Sequence, residues 1–198
     1  MGIPEGSSIL ITGGTGSFGR AILSEILKNH SPARVAIFSR DELKKCEMKL
    51  SWDDGPRVRF YLGDIRDRDR LRMALHGVEY AVHAAALKQV DTAENNPMEY
   101  VKTNILGSEN VMVASIEASV KTVVTLWSDK ASYPVNFYGA TKLTADTFFV
   151  SGNHQSHSSA PPLHWFATGM SWEAGSPLFF SSVVWLKLAS PFPLQSAT

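Results

Sequence analysis

Ser8-Ile-Leu-Ile-Thr-Gly-Gly-Thr-Gly-Ser-Phe-Gly19 is the stretch that decides the fold of this chain. A short apolar run leads into glycines spaced three residues apart, and apolar residues at helical spacing follow them. This order of strand, glycine turn and helix predicts a turn that binds the phosphates of a dinucleotide at the start of the helix. The residues assigned to the turn as cofactor ligands are Gly13, Thr15, Gly16, Ser17, Phe18 and Gly19.

The three glycines have different physical roles in this prediction. Gly13 lets the chain bend sharply out of the strand, because glycine adopts backbone conformations that a side chain disfavours. Gly16 has no Cβ to keep a pyrophosphate away from the backbone, and Gly19 lets the helix pack close on the strand. The alternative is a glycine-rich turn without a ligand, but the strand and the helix on either side favour a dinucleotide site.

The composition limits the classes of function. A length of 198 residues suits one domain with a full core, and a formal net charge of zero gives no basic surface for nucleic acid. Cys46 is the only cysteine, which excludes an internal disulfide and fits a reducing compartment. The sequence shows neither a secretory leader nor an apolar stretch of membrane-spanning length. We therefore expect a cytoplasmic protein without a metal, nucleic-acid or membrane partner.

The end of the second predicted strand indicates which dinucleotide binds. Arg34-Val-Ala-Ile-Phe38 is a buried strand, and Ser39, Arg40 and Asp41 follow it. An acid directly after this strand would hold the ribose 2′-hydroxyl of NAD. A hydroxyl and a guanidinium come first here, and they suit the 2′-phosphate of NADP. The residues favour NADP over NAD, although Asp41 could still reach the ribose and Arg40 could be a solvated loop cation.

Two further predicted strands contribute to the cofactor site. Asp64 and Ile65 follow a strand over residues 57–62, where they could hydrogen-bond the adenine amine and pack on its ring. The alternative for Asp64 is the N-cap of the next helix. A fourth strand over residues 80–86 ends in small residues that leave room for a ligand at the carboxyl edge of the sheet. Those residues are Ala84, Ala85 and Ala86.

Three polar residues around the fourth strand have two interpretations each. His83 is expected to pack in the core rather than act as a catalyst. Lys88 is expected to be solvated unless it faces the pocket, where it would contact the cofactor. Asn104 lies in a long helix predicted over residues 98–118. If it faces the core, it needs a buried partner or a water that bridges it to the site.

The residues for chemistry follow a fifth predicted strand over residues 121–126. Tyr138 and Lys142 are four residues apart, so they share one face of the next helix. An ammonium beside a phenol favours the phenolate, which makes the phenol a better base near neutral pH. Ser128, at the end of the neighbouring strand, could orient a substrate oxygen. This set predicts hydride transfer, in which a base takes the proton of an alcohol while its carbon gives hydride to a nicotinamide.

The alternation of five strands with helices predicts the fold class. Such units form an α/β, Rossmann-type, doubly wound parallel sheet with helices on both faces. We expect one NAD(P)-binding domain over residues 1–153 and an irregular tail over residues 154–198.

Residues 8–153 resemble the extended short-chain dehydrogenase/reductase superfamily. Within it they resemble the branch of NADP-dependent UDP-N-acetylglucosamine 4,6-dehydratases and related polysaccharide-biosynthesis epimerases. Beside the glycine turn, the stretches that carry the resemblance are Phe38-Ser-Arg-Asp-Glu-Leu43, His83-Ala-Ala-Ala-Leu-Lys-Gln-Val90, Lys102-Thr-Asn-Ile-Leu-Gly107, Ser128-Asp-Lys-Ala131 and Tyr138-Gly-Ala-Thr-Lys142.

The resemblance implies a series of transfers on a UDP-sugar. Tyr138 would remove the proton of the 4-hydroxyl as C4 gives hydride to NADP⁺, while Lys142 would tune Tyr138 and hold the ribose. The 4-keto group would then acidify C5, and Lys130 as base and Asp129 as acid would eliminate the 6-hydroxyl as water. Hydride would return to C6 and regenerate the cofactor. Family members commonly associate through helices, so a homo-oligomer is expected for the full-length form.

Two features depart from the family pattern. Trp127 stands where the family usually has a small hydroxyl residue, and its indole could crowd the nicotinamide side or point into the core. In residues 154–198 only Glu173 and Lys187 are charged, and no further strand–helix alternation is expected. The family's next strand, which ends in Arg-Tyr-Gly-Asn-Val, and its UDP-sugar domain are missing from the tail.

The tail has an unusual relation to that missing segment. When codons for residues 165–175 are read one base out of phase, they permit Val-Arg-Tyr-Gly-Asn-Val-Met-Gly-Ser-Arg at every position. We hypothesise a frameshift between about residues 152 and 165; a divergent natural tail is the alternative. The expected function is thus a nucleotide-sugar 4,6-dehydratase that is impaired in this chain. A non-catalytic NADP-binding fragment and a UDP-hexosamine epimerase stay open as alternatives.

Overall fold

The computed structural model describes residues 3–52, 55–155 and 164–169. Six strands are described: β1 Ser8–Thr12, β2 Arg34–Ser39, β3 Val58–Leu62, β4 Tyr80–His83, β5 Thr122–Trp127 and β6 His164–Gly169. They form one parallel sheet in the order β3-β2-β1-β4-β5-β6. The chain winds outward from β1 to β3, returns to the other side of β1, and winds outward again. This confirms the predicted doubly wound sheet.

The helices cover both faces of the sheet. They are α1 Ser17–Asn29, α2 Glu42–Ser51, α3 Arg68–Leu75, α4 Val90–Asn95, α5 Pro97–Tyr100, α6 Gly107–Glu117 and α7 Phe137–Gln155. A π-helical turn over Val101–Leu106 joins α5 to α6, so the long helix predicted over residues 98–118 is confirmed with an altered middle. Short 3-10 turns lie at Gly55–Arg57 and Asp129–Ala131.

Acidic side chains fix the starts of two helices at the carboxyl edge of the sheet. Asp41 accepts a hydrogen bond from the backbone N–H of Lys44, and Asp67 accepts one from that of Arg70. Such caps satisfy N–H groups that have no partner within the helix. The alternative that Asp64 caps α3 is wrong, because Asp67, three residues later, occupies that position.

The core consists of two apolar clusters, one on each face of the sheet. Alternate strand residues point to opposite faces, so each central strand contributes to both clusters. On one face α1 and α2 pack on residues that include Ile9, Ile11, Val35, Ile37 and Val82. On the other face α3, α6 and α7 pack on residues that include Leu10, Ala36, Phe38, Ala81 and Val123.

Two strands differ from the prediction. β4 ends at His83, so Ala84–Ala86 lie in the loop beyond the strand rather than within it. The prediction that no strand follows the last helix is wrong for His164–Gly169, which pairs with β5 as a sixth parallel strand. Backbone groups form this pairing, and an unpaired strand edge accepts many sequences. The rest of the predicted irregular tail, residues 156–163 and 170–198, lies outside the described residues.

The carboxyl ends of β1 and β4 meet where the winding direction reverses, which is where open α/β sheets bind ligands. Gly13 has a φ of +66°, and a Cβ on it would lie 2.7 Å from the backbone nitrogen of Ala85. Gly19 packs against the backbone of Gly14, so its predicted close contact with the strand is instead a contact with the turn. The glycine turn after β1 and the loop after β4 therefore touch through backbone atoms.

We predict that Gly13→Ala destabilises the fold more than Gly6→Ala. Both glycines have positive φ, at +66° and +72°, which costs a non-glycine residue about 1–2 kcal/mol. A Cβ at Gly6 has nothing within 4 Å, whereas one at Gly13 meets the Ala84–Ala85 backbone. That overlap should add about 1–3 kcal/mol of lost unfolding free energy, measured by urea unfolding. Equal losses in the two variants would contradict the described contact.

Candidate active site

The start of α1 presents backbone donors beside the glycine turn. Gly16 is the N-cap residue, and within the described part of the chain no side chain caps the helix. The first N–H groups of a helix have no partner inside it, and the helix dipole adds positive potential there. Ser17 is exposed at this end, and Phe18 is partly buried against the core. The arrangement suits a bound phosphate, as the glycine spacing predicted.

Two predicted ligands, Thr15 and Ser39, are brought together by the fold. Their hydroxyl oxygens lie 2.8 Å apart, and both side chains are buried. The Ser39 hydroxyl also accepts a hydrogen bond from the backbone N–H of Asp41 at 3.2 Å. The glycine turn is thus joined directly to the turn that follows β2, where a 2′-phosphate is expected.

Asp41 and Arg40 differ in how they are held. The Asp41 carboxylate accepts the Lys44 N–H at 2.9 Å and lies 3.3 Å from the Lys44 ammonium. This backbone hydrogen bond is the main cause that lowers the pKa of Asp41, with smaller contributions from the charges of Lys44 and Arg20. Arg40 is half exposed, and its guanidinium lies 3.7 Å from a carboxylate oxygen of Asp64. The Asp41 carboxylate therefore serves as the cap of α2, whereas the Arg40 guanidinium remains half exposed at the edge of the site.

Asp64 and Ile65 follow β3 as predicted but have different environments. Asp64 accepts two side-chain hydrogen bonds from Arg66, at 2.8 and 3.0 Å, and one from its backbone N–H. Burial raises the pKa of Asp64, but the hydrogen bonds from Arg66 outweigh it and the net pKa is lowered. Ile65 is buried in the core against Gly107, so little of its side chain is open to an adenine ring.

Asn104 holds the loop that follows β4. Its Oδ1 accepts the Leu87 N–H at 2.8 Å, and its Nδ2 donates to the Leu87 carbonyl at 3.0 Å and to the Thr141 hydroxyl at 3.1 Å. The expectation of a buried partner is thus confirmed, and α7 is one of the elements it contacts. Asn104 lies in the π-helical turn, a distortion that often occurs at functional sites. These hydrogen bonds of the Asn104 side chain, which we call the Asn104 clamp, fix the loop that carries Ala84–Ala86 and Lys88.

A buried histidine continues this network to β1. His83 Nδ1 lies 2.8 Å from the Thr12 hydroxyl, and its Nε2 lies 3.2 Å from the Ser108 hydroxyl. Ser108 donates its proton to the Asn104 carbonyl at 2.6 Å, so it accepts from His83, which carries its proton on Nε2. Burial, helped by the charge of Lys142, lowers the pKa of His83 to about 3. His83 is therefore a neutral core residue, as expected.

Helix α7 carries the predicted proton-transfer pair. Tyr138 is buried beside Tyr100, and its carbonyl accepts a hydrogen bond from Thr141 at 2.7 Å. Lys142 donates from Nζ to the Leu126 carbonyl at 2.9 Å, next to the carboxyl end of β5. Burial lowers the pKa of Lys142. An ammonium with a lowered pKa, on the same helix face as a phenol, suits proton transfer.

Two charged groups adjoin Lys142, and the sequence analysis missed one of them. Lys88 is exposed, as expected for a solvated lysine; partial desolvation lowers its pKa, and its charge acts with burial to lower the pKa of Lys142. Asp146 was not predicted. Burial raises its pKa to about 6 against the opposing charge of Lys142. Its position four residues after Lys142, on the same helix face, was a usable signal.

The turn after β5 docks on the start of α7. The Ser128 hydroxyl accepts the Lys130 N–H at 3.3 Å, and a Cβ on Gly139 would overlap the Lys130 carbonyl. Gly139 thus allows the turn with Ser128 and Lys130 to approach the helix of Tyr138, a requirement that the sequence analysis missed. The side chains of Asp129 and Trp127 lie outside the described part, so the predictions for them remain predictions.

The described ranges, with gaps at 53–54 and 156–163, hold neither a metal site nor a membrane-spanning helix. No three His, Cys, Asp or Glu side chains there are grouped as a metal site requires. Among the helices of the same ranges, none has the length and apolarity to cross a bilayer.

Comparison with known proteins identifies relatives of this chain. The sequence profile of the polysaccharide biosynthesis protein family matches residues 9–168. A UDP-N-acetylglucosamine 4,6-dehydratase (inverting) of Campylobacter jejuni is 49% identical over 150 residues, which are 76% of this chain and 45% of that protein. A UDP-glucose 4-epimerase of Rickettsia felis is 46% identical over 147 residues, or 73% of this chain and 43% of that protein.

A solved structure agrees with this relationship. The X-ray structure of Pen from Bacillus thuringiensis has a TM-score of 0.82 and 38% sequence identity, and it covers 87% of this chain and 54% of its own. The chain spans less than half the length of the two curated relatives described above.

We predict that the stability of the chain falls at acidic pH through His83. The folded pKa of about 3 lies below the ordinary value of 6.5, so only the unfolded chain binds this proton in between. The free energy of unfolding should fall by up to about 1.4 kcal/mol per pH unit below pH 6.5, relative to His83→Gln. Asp146 has the opposite trend but is present in both proteins. If the free energy of unfolding, measured with urea, changed with pH by the same amount in the wild type and in His83→Gln, the assignment would be contradicted.

Proposed function

The chain belongs to the polysaccharide biosynthesis protein family, and we propose on that premise that it is the cofactor-binding part of an NADP-dependent nucleotide-sugar 4,6-dehydratase. The proposed substrate is UDP-N-acetylglucosamine, and the product is a 4-keto-6-deoxy sugar for surface polysaccharide or glycan. The observation that carries the proposal is that α7 places the buried Tyr138 and the half-buried Lys142 one helical turn apart, with Lys142 bonded to the Leu126 carbonyl near the carboxyl end of β5, in a chain similar to such a dehydratase.

The residues at the carboxyl edge fit the proposed cofactor. The uncapped start of α1 suits the pyrophosphate, and the Thr15–Ser39 pair with Arg40 suits the 2′-phosphate. Asp64 is proposed for the adenine amine, whereas Ile65, buried against Gly107, leaves only the edge of its side chain for the ring. Ala84–Ala86 and Lys88 are proposed for the nicotinamide end, and Asn104 is proposed to act there by holding their loop. When bound, the cofactor would supply a hydride acceptor for C4 as NADP⁺ and, once reduced to NADPH, a hydride donor for C6.

The first proton transfer is assigned to Tyr138. As a phenolate it would accept the 4-hydroxyl proton, and the Ser128 hydroxyl would orient that oxygen. Lys142 favours the phenolate through its positive charge and is proposed to hold the ribose. Its hydrogen bond to the Leu126 carbonyl keeps the ammonium at this edge of the sheet. Tyr138 and Lys142 therefore act as one unit whose spacing α7 fixes.

The elimination of water is assigned to Lys130 and Asp129. Once C4 is a ketone, Lys130 would accept the C5 proton while Asp129 protonates the departing 6-hydroxyl. The contact of the Lys130 carbonyl with Gly139 keeps this turn close to Tyr138, which supports a shared reaction site.

A UDP-hexosamine epimerase is the second candidate. It would use the same Tyr138 and Lys142, and the similarity to the Rickettsia felis 4-epimerase favours keeping it. The products separate the two, because a dehydratase removes one water and an epimerase changes no mass.

Residues 154–198 are proposed not to supply the segment that binds the sugar nucleotide. We retain the frameshift as the proposed cause, and a non-catalytic NADP-binding fragment as the form in which this chain acts. We also propose a cytoplasmic location and, for the full-length form, a homo-oligomer.

We predict that Arg40→Ala weakens NADP⁺ binding by about 10- to 100-fold and leaves NAD⁺ nearly unchanged. A hydrogen bond to a charged group contributes about 1.5–3 kcal/mol, and only NADP⁺ has the 2′-phosphate. Calorimetry with both cofactors measures the ratio, and Lys28→Ala, at the far end of α1, is the control cation. Equal losses for both cofactors would show that Arg40 does not contact the 2′-phosphate.

We predict little or no dehydratase turnover by this 198-residue chain, and turnover by a chain with the shifted frame restored. Positioning of bound reactants contributes about 7–11 kcal/mol in well-oriented cases, and residues 154–198 are proposed not to supply the residues that position UDP. Each protein is incubated with UDP-N-acetylglucosamine and NADP⁺, and mass spectrometry follows the loss of one water. Turnover by the present chain would refute the role given to the tail; none by the restored chain would refute the proposed activity.

A further inference from the structure

We propose that Arg20, near the start of α1, is a second cation that recognises the 2′-phosphate, and that Glu47 competes for it when no cofactor is bound. The inference rests on the proposed NADP preference and assigns a specificity-determining residue beyond Arg40. It would give the phosphate one guanidinium from the turn after β2 and one from α1.

The first observation is the position of the Arg20 side chain. Its Nε donates to the Thr15 carbonyl at 3.1 Å, and the Thr15 hydroxyl lies 2.8 Å from that of Ser39. Arg20 is therefore attached to the same pair of residues that is expected to meet the 2′-phosphate. This hydrogen bond is made to the glycine turn, and a different nitrogen of Arg20 pairs with Glu47.

The second observation is that Arg20 spans from α1 to α2. A terminal nitrogen of Arg20 lies 3.5 Å from a carboxylate oxygen of Glu47. The pKa of Asp41 is lowered mainly by the Lys44 N–H, and the charge of Arg20 also contributes. The guanidinium therefore links the glycine turn to α2, near the turn of Ser39 and Asp41 on which Arg40 also lies.

The charges around this turn allow an exchange of partners. Arg20, Arg40 and Lys44 supply positive charge, and each pairs with an acid: Asp41 pairs with Lys44, Glu47 with Arg20, and Asp64 with Arg40 and Arg66. The Arg20–Glu47 pair is exposed at 37% and 57%, so it contributes little stability. A doubly charged phosphate is a stronger partner for a guanidinium than one exposed carboxylate.

Arg20 suits this role better than a lysine would. A guanidinium has five N–H donors in a planar fork. The contacts with Thr15 and Glu47 engage two of its three nitrogens, so Arg20 can keep the Thr15 hydrogen bond while it exchanges Glu47 for phosphate. A lysine would retain the charge without this fixed geometry.

Calorimetry with NADP⁺ and NAD⁺, which differ only in the 2′-phosphate, tests the proposal. We expect Arg20→Gln to weaken NADP⁺ at least 10-fold and NAD⁺ less than 3-fold. Arg20→Lys should recover part of the NADP⁺ affinity. Glu47→Gln should tighten NADP⁺ by 2- to 5-fold without changing NAD⁺, and that gain should vanish in the Arg20→Gln/Glu47→Gln double variant.

The outcomes distinguish this inference from the proposed function. If the wild-type chain prefers NADP⁺ and Arg20→Gln leaves that preference intact, the role of Arg20 is refuted and the proposed cofactor stands. Equal weakening of both cofactors by Arg20→Gln, with no effect of Glu47→Gln, would mean that Arg20 only supports the glycine turn. A wild-type chain that binds both cofactors equally would refute the NADP preference and the inference together.

Discussion

The His83 imidazole accepts a hydrogen bond from Thr12 and donates one to Ser108, and the geometry of the site depends on this bridge. It joins β1, the strand before the glycine turn, to Ser108 of α6, which donates to the Asn104 carbonyl in the π-helical turn. The Asn104 side chain contacts the loop after β4 and Thr141 of α7. Every side chain in this chain of contacts is buried, where an unmatched polar group costs about 1–3 kcal/mol. Displacing one of these side chains would therefore leave its buried neighbours without a hydrogen-bond partner.

The second constraint is electrostatic. The half-buried ammonium of Lys142 donates to the Leu126 carbonyl, and the charges of Lys88 and Asp146 both act on it. Desolvation lowers the pKa of both lysines and raises that of Asp146 to about 6, so all three pKa values are shifted toward neutrality. Groups with such shifted pKa values cluster at sites of proton transfer. The same cost of buried charge explains why the hydrogen-bonded network around α7 must be tightly packed.

The local patterns of the sequence were sufficient for the sheet and for the glycine turn. Strand periodicity and the spacing of Gly13, Gly16 and Gly19 depend on neighbours along the chain, so they can be read from it. The clamp by Asn104 and the close contact at Gly139 join distant segments, and only the fold reveals them. Strand β6 was missed because backbone pairing with an open edge, rather than a distinct side-chain pattern, places it in the sheet.

The central claim is that these residues form one NADP site that spans the reversal point of the sheet. Hydrogen–deuterium exchange of the chain with and without NADP⁺ tests it most directly. The account predicts slower exchange on binding in four separate segments, residues 13–20, 39–44, 84–88 and 138–142. Unchanged exchange in all four segments, or protection confined to residues outside them, would contradict it.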